Sequence, residues 1–213
     1  MFICTVLLSL TNPVHAAEGP YFSGNLGFAM LRDAGISDPD LDDMGLSSKL
    51  ESKSGAALAA AMGYDFGNSI RLEGEISYQK NDMDKFTVSS GGMSASIDLK
   101  GDTTSTALLV NAYYDFSNTS ILTPFVTAGC GFAKVKSEIT GSDAAAEEGI
   151  ELQGSSDDTV FAYQIGAGIA YAVSETFGID AKYRYFATSD LDFEGSTVEF
   201  SSHNFYFGVR LSF

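Results

Sequence analysis

At 213 residues the chain has the length of one or two domains. Its formal net charge of -16, from 28 acidic against 12 basic side chains, excludes a nucleic-acid binder, because phosphates attract Lys and Arg. Sixteen Phe, 10 Tyr and 22 Gly with only 4 Pro and no Trp suit strands and tight turns, and after the leader no run of eighteen apolar residues offers a membrane-spanning helix.

The N-terminus reads as an export signal. An apolar core from Phe2 to Leu10 precedes the helix-breaking Thr11-Asn12-Pro13, and Val14-His15-Ala16 sets small residues where signal peptidase cuts, after Ala16. This predicts a signal peptide over 1–16 and a single mature domain over 17–213. Cys4 falls within the leader, so Cys130 is alone after cleavage and no intrachain disulfide is expected.

Eight alternating segments follow, with helical periodicity nearly absent. In Pro20 to Leu31, Phe22, Leu26, Phe28 and Met30 share a face. In Ser54 to Phe66 the same role falls to Leu58, Met62, Tyr64 and Phe66. From Ile70 to Gln79, Ile70, Leu72, Ile76 and Tyr78 alternate strictly with Arg71, Glu73, Glu75, Ser77 and Gln79. Thr103 to Phe116 sets Leu108, Val110 and Tyr114 against Asn111, Tyr113 and Asp115. Thr123 to Ala133 carries Val126, Ala128, Cys130 and Phe132 on one face. Val160 to Val173 opposes Tyr163, Ile165 and Ile169 to Gln164, Gly166 and Gly168. Phe177 to Phe186 opposes Ile179, Tyr183 and Tyr185 to Asp180, Lys182 and Arg184. The final His203 to Phe213 opposes Phe205, Phe207 and Val209 to Asn204, Tyr206 and Arg210.

Connections alternate in length. Short turns (Asp65 to Ser69, Asp115 to Ser120, Ser174 to Thr176) alternate with long loops at about 32–53, 80–102, 134–158 and 187–200. An all-β, eight-stranded antiparallel up-and-down transmembrane barrel has this plan, with short periplasmic turns and four long extracellular loops.

The charges decide which face looks inward. Outside the four loops the only basic residues are Arg71, Lys182, Arg184 and Arg210, and each lies on the non-apolar face of its strand, as do Glu73, Glu75 and Asp180. A soluble lipocalin-like barrel would turn these groups to water. The dense Phe, Tyr and Leu stripe, facing Gly, Ser and Ala, favours the opposite: bulky residues on an outside with unlimited room, small ones in a narrow lumen. The charges are then enclosed and must pair, because an unpaired buried charge is costly. The predicted interior polar cluster is Arg71, Glu73, Glu75, Asn111, Gln164, Asp180, Lys182, Arg184 and Arg210. Glu73 and Glu75 are expected near the level of Lys182 and Arg184, and Asp180 near Arg210 by the short-turn edge. Such a plug leaves at best a narrow solute path, and that is the alternative function.

The stretches "RLEGEISY", "LLVNAYYDF", "PFVTAGCGF", "FAYQIGAGIAYAV", "DAKYRYF" and "FYFGVRLSF" resemble the opacity-protein and OmpA/OmpX-like outer-membrane barrels, often called porin-family proteins or surface antigens, over about Pro20 to Phe213. That resemblance implies roles in adhesion, immune exposure or envelope integrity, and no shared catalytic residues. It also implies that Phe213, with Phe205 and Phe207, forms the C-terminal signal read by the barrel-assembly machinery. Tyr64, Tyr78, Tyr114, Tyr171 and Tyr183 would replace the Trp common in such girdles.

The four loops hold 21 of the 28 acidic residues and are rich in Ser and Gly, so a solvated, mobile coat is expected, free to take an extracellular ligand. Asp38, Asp40 and Asp42 have the spacing of a calcium loop, but Asp43 stands where Gly is needed and Lys49 where the bidentate Glu belongs. His203, with Ser201 and Ser202 beside it, is read as a rim histidine rather than a catalytic one. No Cys/His metal cluster and no phosphate loop occur, so no cofactor, no metal and no enzymatic activity are expected. The expected partners are outer-membrane lipid and lipopolysaccharide, the assembly machinery and a loop-bound ligand, with no nucleic acid.

Overall fold

In a computed structural model of the protein, the strands are numbered along the chain. The structure describes residues 18–32, 34–37, 47–90, 93–98, 100–118, 120–141, 154–193, 196–198 and 200–213. The expected export signal over 1–16 and the Asp38 to Asp43 segment lie outside the described residues.

Eight strands make the wall: β1 (Gly19–Leu31), β4 (Gly55–Asp65), β5 (Ile70–Ser90), β7 (Lys100–Asp115), β8 (Leu122–Gly141), β9 (Gly154–Ala172), β10 (Phe177–Thr188) and β13 (Ser201–Ser212). Each pairs antiparallel with its chain neighbour, and β13 closes on β1, with Tyr21 opposite Ser212 and Leu31 opposite Ser202. Closure is what a hydrocarbon surround demands, because a free edge would leave backbone N–H and C=O groups without partners.

The register fixes the shape. From Tyr21 the rungs pass through Gly63, Glu73, Asn111, Gly129, Gln164, Phe186 and Ser202 and return to β1 at Leu31, ten residues higher. That stagger over eight strands sets a tilt of about 40° and a backbone radius of about 8 Å, a lumen that side chains can fill.

Period two does the sorting. Leu108 is 68% exposed and Phe207 64%, while Glu75 and Asn111 are 1% and 0% exposed. The apolar stripe therefore faces out on every wall strand, which removes the soluble lipocalin-like alternative. Aromatic pairs ring both ends of the wall: Tyr64 with Phe66 and Tyr114 with Phe116 near the short turns, Phe28 with Phe205 and Phe132 with Phe161 near the other end. Cys130 is a free thiol on the outer face.

The short turns are tight. Phe66 N donates to Ile70 O at 3.1 Å, and Gly67 takes the left-handed conformation (φ 71°) that the bend needs. At the opposite end the ladders outrun the expected strand ends. β5 pairs with β6 (Met93–Asp98) as far as Ser90, and β8 pairs with β9 as far as Ile139 opposite Gly154. β2 (Ala34–Ser37), β3 (Ser47–Ser52), β11 (Leu191–Phe193) and β12 (Ser196–Val198) join them in the order β11-β12-β2-β3-β5-β6. Segments whose Ser, Gly and Asp content predicts coil become strand here, because each lies against a neighbour whose backbone is already extended.

Val110 lies midway between the two aromatic rings on the outer wall. Val110→Arg is expected to destabilise the inserted barrel by about 2–4 kcal/mol in urea unfolding from lipid vesicles. An unchanged midpoint would contradict an outward Val110.

Candidate functional site: the barrel lumen

Glu75 sits at the centre of the lumen. Its Oε1 accepts from Arg184 Nη1 at 2.6 Å, its Oε2 accepts from Asn111 Nδ2 at 3.1 Å, and Lys182 Nζ lies 4.0 Å from Oε2. The register explains the meeting. β5 climbs away from the short turns, β10 climbs with it on the opposite wall, and the tilt brings residue 75 to the level of 182 and 184. Arg184 Nη2 also donates to Tyr206 Oη at 2.6 Å, with the guanidinium 4.7 Å from the Tyr206 ring centre. With its amide oxygen turned to Arg184, Asn204 accepts from Nε at 3.2 Å and from Nη2 at 3.1 Å. Gln164 Nε2 donates to Asn111 Oδ1 and extends the network to β9.

A second pair lies nearer the short turns. Arg71 donates from Nε and Nη2 to both oxygens of Asp115 at 2.7 and 2.8 Å, the fork geometry that makes Arg–carboxylate pairs strong. Its guanidinium stacks 4.4 Å from the Tyr113 ring centre and faces Phe125 at 5.5 Å. Asp115 adds an acid to the predicted set, and half-buried Asp65 lines the same end of the lumen.

The remaining predicted residues take looser places. Glu73 Oε1 accepts from Ser23 Oγ at 3.3 Å, and its Oε2 has no hydrogen-bond partner among the described residues. Asp180 and Arg210 form no ion pair with each other among the described residues. Arg210 instead lies 5.5 Å from the Tyr21 ring centre. Glu73, Asp180, Lys182 and Arg210 border a cavity of 20 Å³, room for a water molecule. Below it a 270 Å³ mouth, with Asp65, Ser69 and Asp115 in its lining, opens between the short turns.

Inward side chains are made room for by glycines on the neighbouring strands, their partners across the ladder. A Cβ on Gly63 would stand 2.5 Å from Tyr21 Cζ, one on Gly168 would strike Phe125, and one on Gly129 would strike Asn111.

Toward the opposite end the lumen is mixed, an apolar cluster lying beside buried Gln79, Asn81, Ser105 and Ser202. Leu109, two residues above Asn111, packs with Ala133, Val135, Ala162, Phe186, Leu191 and Phe200 in one buried cluster, and Phe186 meets Phe200 edge-on at 6.1 Å. Sequence reasoning did not single out this cap, nor Asp115, Tyr113 or Tyr206 as members of the plug. The signal was their phase: Leu109, Tyr113, Asp115, Ala133, Val135, Ala162, Phe186 and Tyr206 all lie on the lumen face of their wall strands.

Beyond the wall, Lys134 pairs with Asp157 at 2.8 Å and Lys136 with Glu138 at 2.9 Å. The hydrogen bond from Lys134 holds the Asp157 carboxyl below the usual carboxylate range. His203 Nδ1 and Tyr183 Oη are hydrogen-bonded at 2.7 Å on the outer wall, away from the lumen groups. The C-terminal Phe205, Phe207 and Phe213 also face outward, at 36%, 64% and 69% exposure.

A closed, eight-stranded antiparallel barrel with an ionic lumen and a lipid-facing wall defines an integral outer-membrane protein. The sequence model described as "Outer membrane protein beta-barrel domain" matches residues 2–213, and the chain belongs to that family. Outer membrane protein PagN of Salmonella typhimurium is 28% identical over 198 residues, covering 86% of this chain and 80% of PagN. The crystal structure of Neisserial surface protein A superposes with a TM-score of 0.57 at 20% identity, over 93% of this chain and all of that one. The outer membrane protease OmpT of Escherichia coli superposes with a TM-score of 0.55 at 7% identity, over 91% of this chain and 97% of its own. Likeness at these identities shows the fold alone, and a fold shared with a protease leaves activity to be argued from residues. Among the described residues no group of three or more His, Cys, Asp or Glu could hold a metal ion.

Removing Glu75 would leave Arg184 and Lys182 enclosed without their shared partner. Glu75→Ala is expected to lose about 3–5 kcal/mol of stability, read as a lower unfolding temperature of the heat-modifiable gel band in detergent. An unchanged temperature would remove the plug as a source of stability.

Proposed function

We propose that this protein is a non-enzymatic outer-membrane anchor that presents acidic β-hairpins at the cell surface, in adhesion, as a surface antigen or in support of the envelope. The observation that carries the reading is the division of the molecule. The lumen is occupied by an ionic plug with an apolar cluster beyond it, while β5, β7, β8 and β9 run on together past the lipid-facing wall. A rigid, filled cylinder holds the bases of the hairpins and leaves their tips to vary. The surface-protein name of the Neisserial relative belongs to that protein and agrees with a display role here.

Two steps would bring the chain there. The leader over 1–16 directs export and is removed after Ala16. The assembly machinery then reads Phe213 with Phe205 and Phe207, whose side chains stand on the outer face of the last strand. Lipopolysaccharide surrounds the finished wall, and the acidic tips meet the extracellular ligand.

The narrow-channel reading needs a continuous polar path. Leu109, Val135, Phe186, Leu191 and Phe200 cluster on the extracellular side of the plug and narrow any such path, and apolar narrowing opposes ions. In planar bilayers the protein is expected to give no steady current, and on intact cells proteinase K is expected to cut within 32–53 and 134–158 while sparing the wall. A steady ion-selective current, or hairpins protected on intact cells and cut only after lysis, would overturn display by a closed barrel.

A further inference from the structure

Resting on that surface-barrel reading, which turns the short turns to the periplasm, we propose that the mouth between those turns binds a zwitterionic amino-acid head. The ligand is an ammonium and a carboxylate on one carbon, free or carried by the diamino acid of a cell-wall peptide. The charges around the 270 Å³ mouth carry the inference. Arg210 stands at its inner end, Glu18 and Asp65 stand at its rim, and the hydroxyls of Ser69, Ser117 and Thr123 share the lining.

Arg210 borders both the mouth and the 20 Å³ cavity above it, so it stands where the two meet. Its guanidinium lies 5.5 Å from the Tyr21 ring centre and makes no ion pair or hydrogen bond among the described residues. That sets it apart from the other lumen arginines. Arg71 commits its fork to both oxygens of Asp115, and Arg184 is held by Glu75. Glu73 and Asp180 border the small cavity together with Lys182, on the far side of Arg210 from the mouth. A planar guanidinium with open donors matches a carboxylate in two-point fashion.

The rim has the opposite deficit. Asp65 Oδ1 accepts from Gly67 N at 3.0 Å, and its Oδ2 accepts from no described group. A Cβ on Gly67 would strike the Glu18 carboxylate, so both acids lie against the same turn. Neither forms an ion pair with a base among the described residues, and Asp115 has no oxygen to spare. The rim acids would repel an anion and Arg210 would repel a cation, so a small ligand carrying both charges suits the mouth. The rim is also preformed. Ser69 keeps a left-handed backbone, φ 72°, which is uncommon for a residue with a side chain. From there its Oγ meets Ser117 Oγ at 3.0 Å and its O accepts from Asp115 N at 2.8 Å, tying two short turns together beside the acids. Backbone strain of this kind collects where a ligand is held.

The test titrates the folded barrel in detergent micelles with meso-diaminopimelate, followed through the amide NMR signals of Gly67, Ser69 and Ser117. Two probes cut from the same skeleton serve as controls: pimelate lacks the amines, and cadaverine lacks the carboxylates. The zwitterion is expected to bind about ten-fold more tightly than either. Arg210→Gln and the double variant Glu18→Gln/Asp65→Asn are each expected to weaken it about ten-fold. A heat-modifiable gel band checks that each variant is folded, and the three probes on the wild type decide the matter if Arg210→Gln is not. No binding of diaminopimelate, equal binding of pimelate or cadaverine, wild-type binding by either folded variant, or shifts confined to the extracellular hairpins would overturn the site. A disaccharide tripeptide ending in diaminopimelate separates the two sources. Binding at least as tight as the free acid assigns the site to the wall peptide, weaker binding assigns it to free amino acids, and either result supports the site. Micelles leave both ends of the barrel open, so a null titration speaks against the site, whereas proteinase K on intact cells speaks to surface display.

Discussion

Hydrocarbon accepts no hydrogen bond, and that single constraint orders the whole molecule. It forces the sheet to close, so that β13 returns to β1 and every wall strand has two neighbours. It also forces the two faces of each strand apart, with Leu72, Val110 and Phe207 outside and Glu75, Asn111 and Arg184 within. A slip of one residue would reverse both faces at once, so the lumen charges protect the register as much as they fill the lumen.

Inside, the same constraint becomes one of charge balance. Arg71, Lys182, Arg184 and Arg210 meet Glu73, Glu75, Asp115 and Asp180 in a narrow space, with Asp65 at its lip. The tight contacts, Arg184 with Glu75 and Arg71 with Asp115, tie strands far apart in sequence. Between and below them Glu73, Asp180 and Arg210 are less fully engaged and border the cavity and the periplasmic mouth. The lumen is thus graded along its axis: charged and open near the short turns, ion-paired at the middle, and under the hairpins an apolar cluster beside buried amides and hydroxyls. A filled lumen suits an anchor, which is the basis for proposing the acidic hairpins as the part of the chain that faces partners.

Much of this was legible in the sequence because period two is a strong signal when one face meets lipid. Ile70 to Gln79 alone shows both faces without a break. The partners within the lumen were harder to read. Asp115 sits at the lip of a short turn and reads as turn chemistry until the register puts it beside Arg71. Tyr113 and Tyr206 are aromatic, so composition assigns them to the wall while their phase assigns them to the lumen. The apolar cap is hidden for a different reason: Leu191 and Phe200 belong to a loop hairpin, and only the closed fold brings them over Leu109 and Phe186. The extended hairpins illustrate the limit of propensity, since their Ser- and Gly-rich strands owe their form to neighbours rather than to their own residues.

Nitroxide labels placed singly on the barrel in lipid vesicles test the sorting of faces most directly. Labels at Leu72, Val110 and Phe207 should relax strongly with oxygen dissolved in the hydrocarbon, and labels at Glu75 and Arg184 should be shielded from it. Shielding at the first three sites with strong oxygen relaxation at the last two would mean that the ionic face looks outward, and the account would fail.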